Sequence, residues 1–186
     1  MQRPDIYESI DALDSVSFSG LIYRHLAPTY GCRSGEGARV AGGRWNSRNS
    51  FPVLYAAFTP EVAAAEFLRL AQRNARAPNE LLPRTLCSLH VELESVLDLR
   101  STHALDAVGL SLDLIQGNDP TACQAVGQAT HKLGLEGILA PSATRAGDIL
   151  AIFPLNLLAN SSVEHSETQA WTTLADLPLP QSPSQR

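Results

Sequence analysis

Apolar and polar residues alternate as in a strand over residues 20–26, with Ile22, Arg24 and Leu26 on one face and Leu21, Tyr23 and His25 on the other. A second strand is predicted over 51–58, where Val53, Tyr55 and Ala57 oppose Leu54, Ala56 and Phe58, so both of its faces are expected to be covered. Thr59 followed by Pro60 then predicts a helix start, because a hydroxyl cap ahead of a proline satisfies the free amides of the first turn. That helix is expected to run to residue 73, with Val62, Glu66 and Leu70 at i, i+4 and i+8 beside Ala63 and Phe67. Glu66 thereby lands in the middle of the apolar stripe, while Glu61, Arg69 and Arg73 fall at solvent-like positions.

Further along, 73–83 reads as a polar surface loop and 86–93 as a half-exposed strand with His90 on its wet face. A short strand over 96–99 and a helix over 104–116, stopped by Gly117, follow. Asp119 and Pro120 open another helix, whose stripe of Ala122, Val126, Ala129 and Leu133 ends at Gly134. Residues 137–140 and 148–153 are apolar enough for central strands, joined by a turn containing Pro141, Ser142 and Gly147. Beyond residue 160 the composition turns to Ser, Thr, Gln and Pro, which predicts a peripheral tail over 161–186. Its last ten residues are expected to be mobile, with Trp171, Leu174 and Leu177 docking a short helix on the body.

The 186 residues, 44% apolar, suit a single domain with a proper core. Neither the first twenty residues nor the most apolar segment, 149–159 with Pro154 and Asn156 inside it, carries the unbroken apolar run of a secretory signal or a membrane span. A soluble, cytoplasmic protein is expected. Cys32, Cys87 and Cys123 are odd in number, widely spaced and without CxxC, which predicts reduced thiols and no metal site.

Charge is uneven. The stretch 24–50 holds Arg24, Arg33, Arg39, Arg44 and Arg48 against the single acid Glu36, a local +4 that leaves −9 for the rest of a chain whose net charge is −5. Such a balance argues against direct nucleic-acid binding by the chain as a whole. Five glycines in the same stretch, Gly31, Gly35, Gly37, Gly42 and Gly43, point to a loop able to approach a phosphate-bearing small molecule; a solvated surface loop is the plainer reading. Glu66 likewise has two readings, a functional carboxylate or half of a structural ion pair, since a charge on an apolar stripe needs a partner either way.

The order of IYR (22–24), GEGARVAGGRWN (35–46), LY (54–55), EVAAAEF (61–67), CQAVG (123–127) and APSA (140–143) resembles the RES-domain toxins of bacterial toxin–antitoxin pairs, over residues 20–155. The resemblance implies an α+β fold, a compact single domain over 1–160 with mixed β-sheets and flanking helices, related to the ADP-ribosyltransferase toxins. It implies NAD as substrate rather than cofactor, degraded by phosphorolysis with inorganic phosphate as co-substrate, or by hydrolysis. Its partner would be a cognate antitoxin with a helical DNA-binding region, in a hetero-oligomer or beside a homo-oligomer, with no membrane involved. Carried over by position, the resemblance makes Arg24 and Glu66 catalytic and Arg44, Tyr55, Ser142, Thr121 and Gln124 substrate-binding, the family's serine falling at Ser142 or at Thr121.

The chemistry suits the carry-over. Breaking the nicotinamide–ribose bond builds positive charge on the ribose, which a fixed carboxylate such as Glu66 stabilises. Planar guanidiniums at Arg24 and Arg44 match the dinucleotide diphosphate or an attacking phosphate. Tyr55 either packs on nicotinamide, donates to the sugar, or is a core tyrosine with a satisfied hydroxyl. Two other functions stay open: an ADP-ribosyltransferase acting on a protein, and a non-catalytic module that binds an acidic partner and uses Glu66 only as an ion-pair member.

Overall fold

A computed structural model describes residues 5–178. Among them, six strands, β1 (Val16–Leu26), β2 (Leu54–Ala57), β3 (Arg84–Asp98), β4 (Gly137–Pro141), β5 (Asp148–Ile152) and β6 (Ser162–Trp171), form one sheet in the order β1-β2-β5-β4-β3-β6. A further pairing of β1 with β3 closes the first five into a small barrel. Among the described residues, only β3 and β4 pair in parallel. The length of β3 makes closure possible: its first part pairs with β1 and β6, and Val96–Asp98 pair with β4.

Because side chains alternate along a strand, the barrel strands serve two cores at once. Ile22, Leu54, Ala56, Leu89, Leu139, Leu150 and Ile152 pack together inside the barrel. Their neighbours Ala57, Ile138, Ala140, Ile149 and Ala151 face outward into a larger core shared with the helices. Among the described residues, six α-helices surround the barrel: α1 (Ile6–Asp11), α2 (Glu36–Ala41), α3 (Pro60–Arg73), α4 (Thr102–Ala107), α5 (Leu112–Gln116) and α6 (Thr121–Lys132). The architecture is thus a compact mixed α+β domain with a barrel-like sheet. Among the described residues, no helix is long and apolar enough to cross a membrane.

Most predicted elements are present, with informative differences. The strands expected over 86–93 and 96–99 are one continuous strand, β3. The helix expected over 104–116 is two, because the Ser111 hydroxyl accepts from the Leu114 amide at 3.3 Å and caps a new start. The Gly- and Arg-rich stretch contains the short helix α2.

Two expectations need correction. Residues 162–171, assigned by composition to a peripheral tail, form β6 along β3, with Trp171 fully buried at its end. The free edge of β3 recruits backbone regardless of side-chain polarity, and most of the β6 side chains are exposed. A single 3₁₀ turn at Leu174–Asp176 follows, burying Leu177 but leaving Leu174 exposed. Residues 179–186, within the segment expected to be mobile, lie outside the described residues.

The cysteines are the second correction. Cys32 and Cys87, expected as free thiols, form a disulfide, and Cys123 is free and buried. Their separation of 55 residues concealed the pairing. The β1–β3 register brings them together by setting Cys87 opposite Arg24, eight residues before Cys32.

Candidate active site

A cavity of about 470 Å³ opens beside the barrel, walled by the ends of β1 and β2, by α3, by the 34–45 stretch and by the turn after β4. Arg24, Arg44, Tyr55 and Glu66 all reach it, together with Arg69, Arg73, Arg84 and His25.

Glu66 is held there by its helix and by one hydroxyl. α3 begins at Thr59, whose side chain accepts from the Val62 amide at 3.3 Å, and buries Val62, Ala63, Phe67 and Ala71. Glu66 stands at the edge of that buried face, half-exposed to the cavity. The Ser142 hydroxyl donates to Glu66 Oε1 at 2.6 Å and itself accepts from the Thr144 amide at 3.1 Å. Ser142 is fully buried, and its amide donates to the Gly147 carbonyl at 2.7 Å, closing the turn that brings it to α3. Gly147, at φ 152°, has no room for a side chain: a Cβ there would lie 2.8 Å from Val62 Cγ2.

Arg44 is placed by a turn pinned from two sides. The Tyr55 hydroxyl on β2 accepts from the Trp45 amide and donates to Asn46 Oδ1, both at 2.8 Å. Burial raises its pKa well above the ordinary tyrosine value, so the hydroxyl stays protonated. From α6, Gln124 Nε2 donates to the Gly43 carbonyl at 2.9 Å and the Asn46 carbonyl at 3.2 Å. α6 comes this close because Gly127 lacks a side chain: a Cβ there would collide with the Trp45 carbonyl. Arg44 Nη2 then donates to the Gly117 carbonyl at 2.8 Å, and Arg69 Nη2 to the Gln116 carbonyl at 2.8 Å. Two guanidiniums thus rest on the carbonyl end of α5, where the backbone dipole favours cations.

Among the described residues, none of Arg24, Arg44, Arg69, Arg73 and Arg84 pairs with a carboxylate; the ion pairs lie elsewhere, at Arg39–Glu36, Arg76–Glu80 and Arg100–Asp98. Burial, then the charge of Arg84, pushes Arg24 down to about 10, which leaves it protonated at neutral pH. Burial also lowers Arg44, with Arg69 and Arg73 adding to the effect. His25 is driven down to about 3 by burial, then by Arg84 and Arg24, so its ring is neutral and its Nδ1 accepts from Arg84 Nη2 at 3.0 Å. The Nε atoms of Arg24 and Arg84 are buried and meet no acceptor among the described residues. Five arginines without carboxylate partners among the described residues give the cavity a positive field that suits an anionic ligand, with Glu66 as the one acid on its wall.

The RES domain family matches residues 21–176, most of the chain and all of the cavity wall. The chain belongs to the RES-domain family. It is 35% identical over 150 residues to the NAD(+) phosphorylase MbcT of Mycobacterium tuberculosis and of Mycobacterium bovis, a span covering 80% of this chain and 81% of each relative. Its structure is similar to a chain of the M. tuberculosis MbcT–MbcA toxin–antitoxin complex, with a TM-score of 0.83 and 32% identity over 90% of this chain and 92% of that one.

In this RES domain, six of the seven residues singled out from the sequence gather at the cavity or its supports. Arg24, Arg44, Tyr55 and Glu66 line it, Ser142 holds Glu66, and Gln124 holds the turn that carries Arg44. Thr121 stands apart: it is exposed at the start of α6 and its hydroxyl donates to Asp119 Oδ1 at 2.6 Å. Arg69 and Arg73, expected at solvent-like positions, also line the cavity. Their spacing from Glu66, i+3 and i+7, carries that signal, because it stacks all three on one helix face. His25 and Arg84 had no comparable signal, since their pairing depends on where β3 runs.

Proposed function

We propose that this chain is the toxin of a toxin–antitoxin pair and that it consumes NAD, breaking the bond between nicotinamide and ribose and passing ADP-ribose to inorganic phosphate. The observation that carries the reading is Glu66, fixed by Ser142 on the wall of a cavity whose five arginines have no carboxylate partners among the described residues. The similarity to MbcT, an NAD(+) phosphorylase, supports the substrate and the acceptor.

In this reading Glu66 lies beside the ribose carbon that becomes cationic as the bond to nicotinamide stretches. At about 4 Å and an effective dielectric near 20, such a pairing is worth on the order of 4 kcal/mol, roughly a thousandfold in rate. The bonding electrons leave with the pyridinium nitrogen, so neutral nicotinamide departs and no general acid is needed. A phosphate oxygen then bonds to the ribose carbon. Arg24 and Arg44 bind the dinucleotide diphosphate and the incoming phosphate, which their fork geometry suits better than lysine would. Ser142 aims Glu66, while Tyr55 and Gln124 act at one remove by fixing the turn that bears Arg44. The reading includes a kinship of fold with the ADP-ribosyltransferase toxins and a cytoplasmic site of action, where NAD is available. It also includes a cognate antitoxin bound in a hetero-oligomer, supported by the similarity to a solved toxin–antitoxin complex.

Incubating the purified chain with NAD, with and without inorganic phosphate, tests the proposal. The expected products are nicotinamide and phosphorylated ADP-ribose in equal amounts, formed only with phosphate present. Untouched NAD would refute the reading; ADP-ribose appearing on a protein acceptor instead would replace it with protein ADP-ribosylation.

A further inference from the structure

Outside the cavity, the chain carries a second cluster of reactive groups. Cys32 sits in the loop between β1 and α2, Cys87 lies on β3, and His165 lies on β6, the strand hydrogen-bonded to β3. The two sulfurs and a ring nitrogen of His165 all lie within 4.8 Å of one another. Access is graded: Cys87 is fully buried, Cys32 partly so, and His165 exposed.

The bridge reaches the cavity through one hydrogen bond. Arg24 Nη1 donates to the Cys32 carbonyl at 3.0 Å, the one hydrogen bond its guanidinium makes among the described residues. Residues 27–35 contain neither helix nor strand, and both Ala27 and Ser34 line the cavity. Cys87 stands opposite Arg24 in the β1–β3 register. The disulfide therefore ties an irregular loop, and the carbonyl that orients Arg24, back to the strand beside Arg24.

We propose that Cys32, Cys87 and His165 form a thiol–disulfide exchange site that takes a dithiol reductant, and that closing the bridge sets the loop's grip on Arg24. The reductant's thiolate attacks Cys32, the more accessible sulfur; the Cys32–Cys87 bond breaks and Cys87 leaves as thiolate. His165 is placed to pass a proton to that leaving sulfur and to regain one from solvent. The reductant's second thiol then displaces Cys32 and closes its own disulfide, so two electrons and two protons pass to the protein. With the tie gone, the loop gains freedom and Arg24 loses its fixed carbonyl partner, which weakens binding of the anionic substrate before it affects the bond-breaking step. That consequence for turnover rests on the NAD reading; the exchange chemistry does not.

The test uses the full chain, oxidised or treated with dithiothreitol in the presence of a chelator, then unfolded, alkylated and weighed. One alkylated thiol is expected in the oxidised form, Cys123, and three in the reduced form. His165→Ala should slow reduction roughly tenfold without changing NAD consumption by the oxidised protein. Reduction should raise the KM for NAD by about three- to tenfold with a smaller change in kcat. Cys32→Ser, at the partly exposed end of the bridge, should show the same rise and no response to dithiothreitol. Three free thiols in the air-oxidised protein, one tightly held zinc per chain with no bridge formed by oxidants, or an identical KM in both forms would overturn the proposal. If the oxidised chain leaves NAD untouched, the NAD reading fails while the thiol count still decides the exchange site.

Discussion

Ser142 touches no face of the cavity on its own account, yet its hydroxyl is the partner that aims Glu66. A hydrogen bond to a charged group contributes on the order of 1.5–3 kcal/mol, so Ser142→Ala is expected to lower kcat roughly ten- to a hundredfold. The KM for NAD should change much less, since the arginines are untouched; steady-state kinetics separates the two, and an unchanged kcat would remove Ser142 from the account. His25 makes a different residue-scale prediction. Folded, it titrates at about 3 against an ordinary value of 6.5, so between those limits the unfolded chain binds the extra proton. The stability it contributes is complete above about pH 6.5 and drains away as pH falls toward 3. Thermal melts should show the melting temperature falling below pH 6.5, and falling less steeply in His25→Gln; equal slopes would contradict this.

At the scale of elements, α6 and the turn bearing Arg44 approach so closely that only glycine fits at position 127. Gly127→Ala should destabilise the fold by about 1–3 kcal/mol, seen as a lower denaturation midpoint, and should weaken NAD binding because the turn shifts with the helix. The same elements show what could be read from the sequence. The start and span of α3 were legible, because cap chemistry and helical period are local properties, whereas the turn of Arg69 and Arg73 into the cavity and the place of Glu66 at the edge of the buried face, not its middle, depend on what packs against the helix. The two-faced burial of β2, β4 and β5 was likewise legible from local pattern. β6 was not, since its composition suits a tail and its strand character comes from the open edge of β3. The disulfide and the His25–Arg84 pair were hidden likewise: both depend on the register of β1 against β3, which no local pattern encodes.

Across the whole molecule, charge is sorted by place. A chain with a net charge of −5 gathers around one cavity five arginines that have no carboxylate partners among the described residues. The excess of acid elsewhere argues against general polyanion binding, while the local excess of base favours a small phosphate-bearing ligand. The barrel makes this sorting possible by bringing residues from 24 to 149 to one wall, with α3 laying Glu66 across it. Whether that carboxylate carries the chemistry is the central question, and the rate of NAD consumption by Glu66→Gln against the unaltered chain answers it most directly. Glu66→Gln is expected to lower kcat roughly a thousandfold, with folding and melting temperature preserved. A folded Glu66→Gln protein that consumes NAD at the unaltered rate would contradict it.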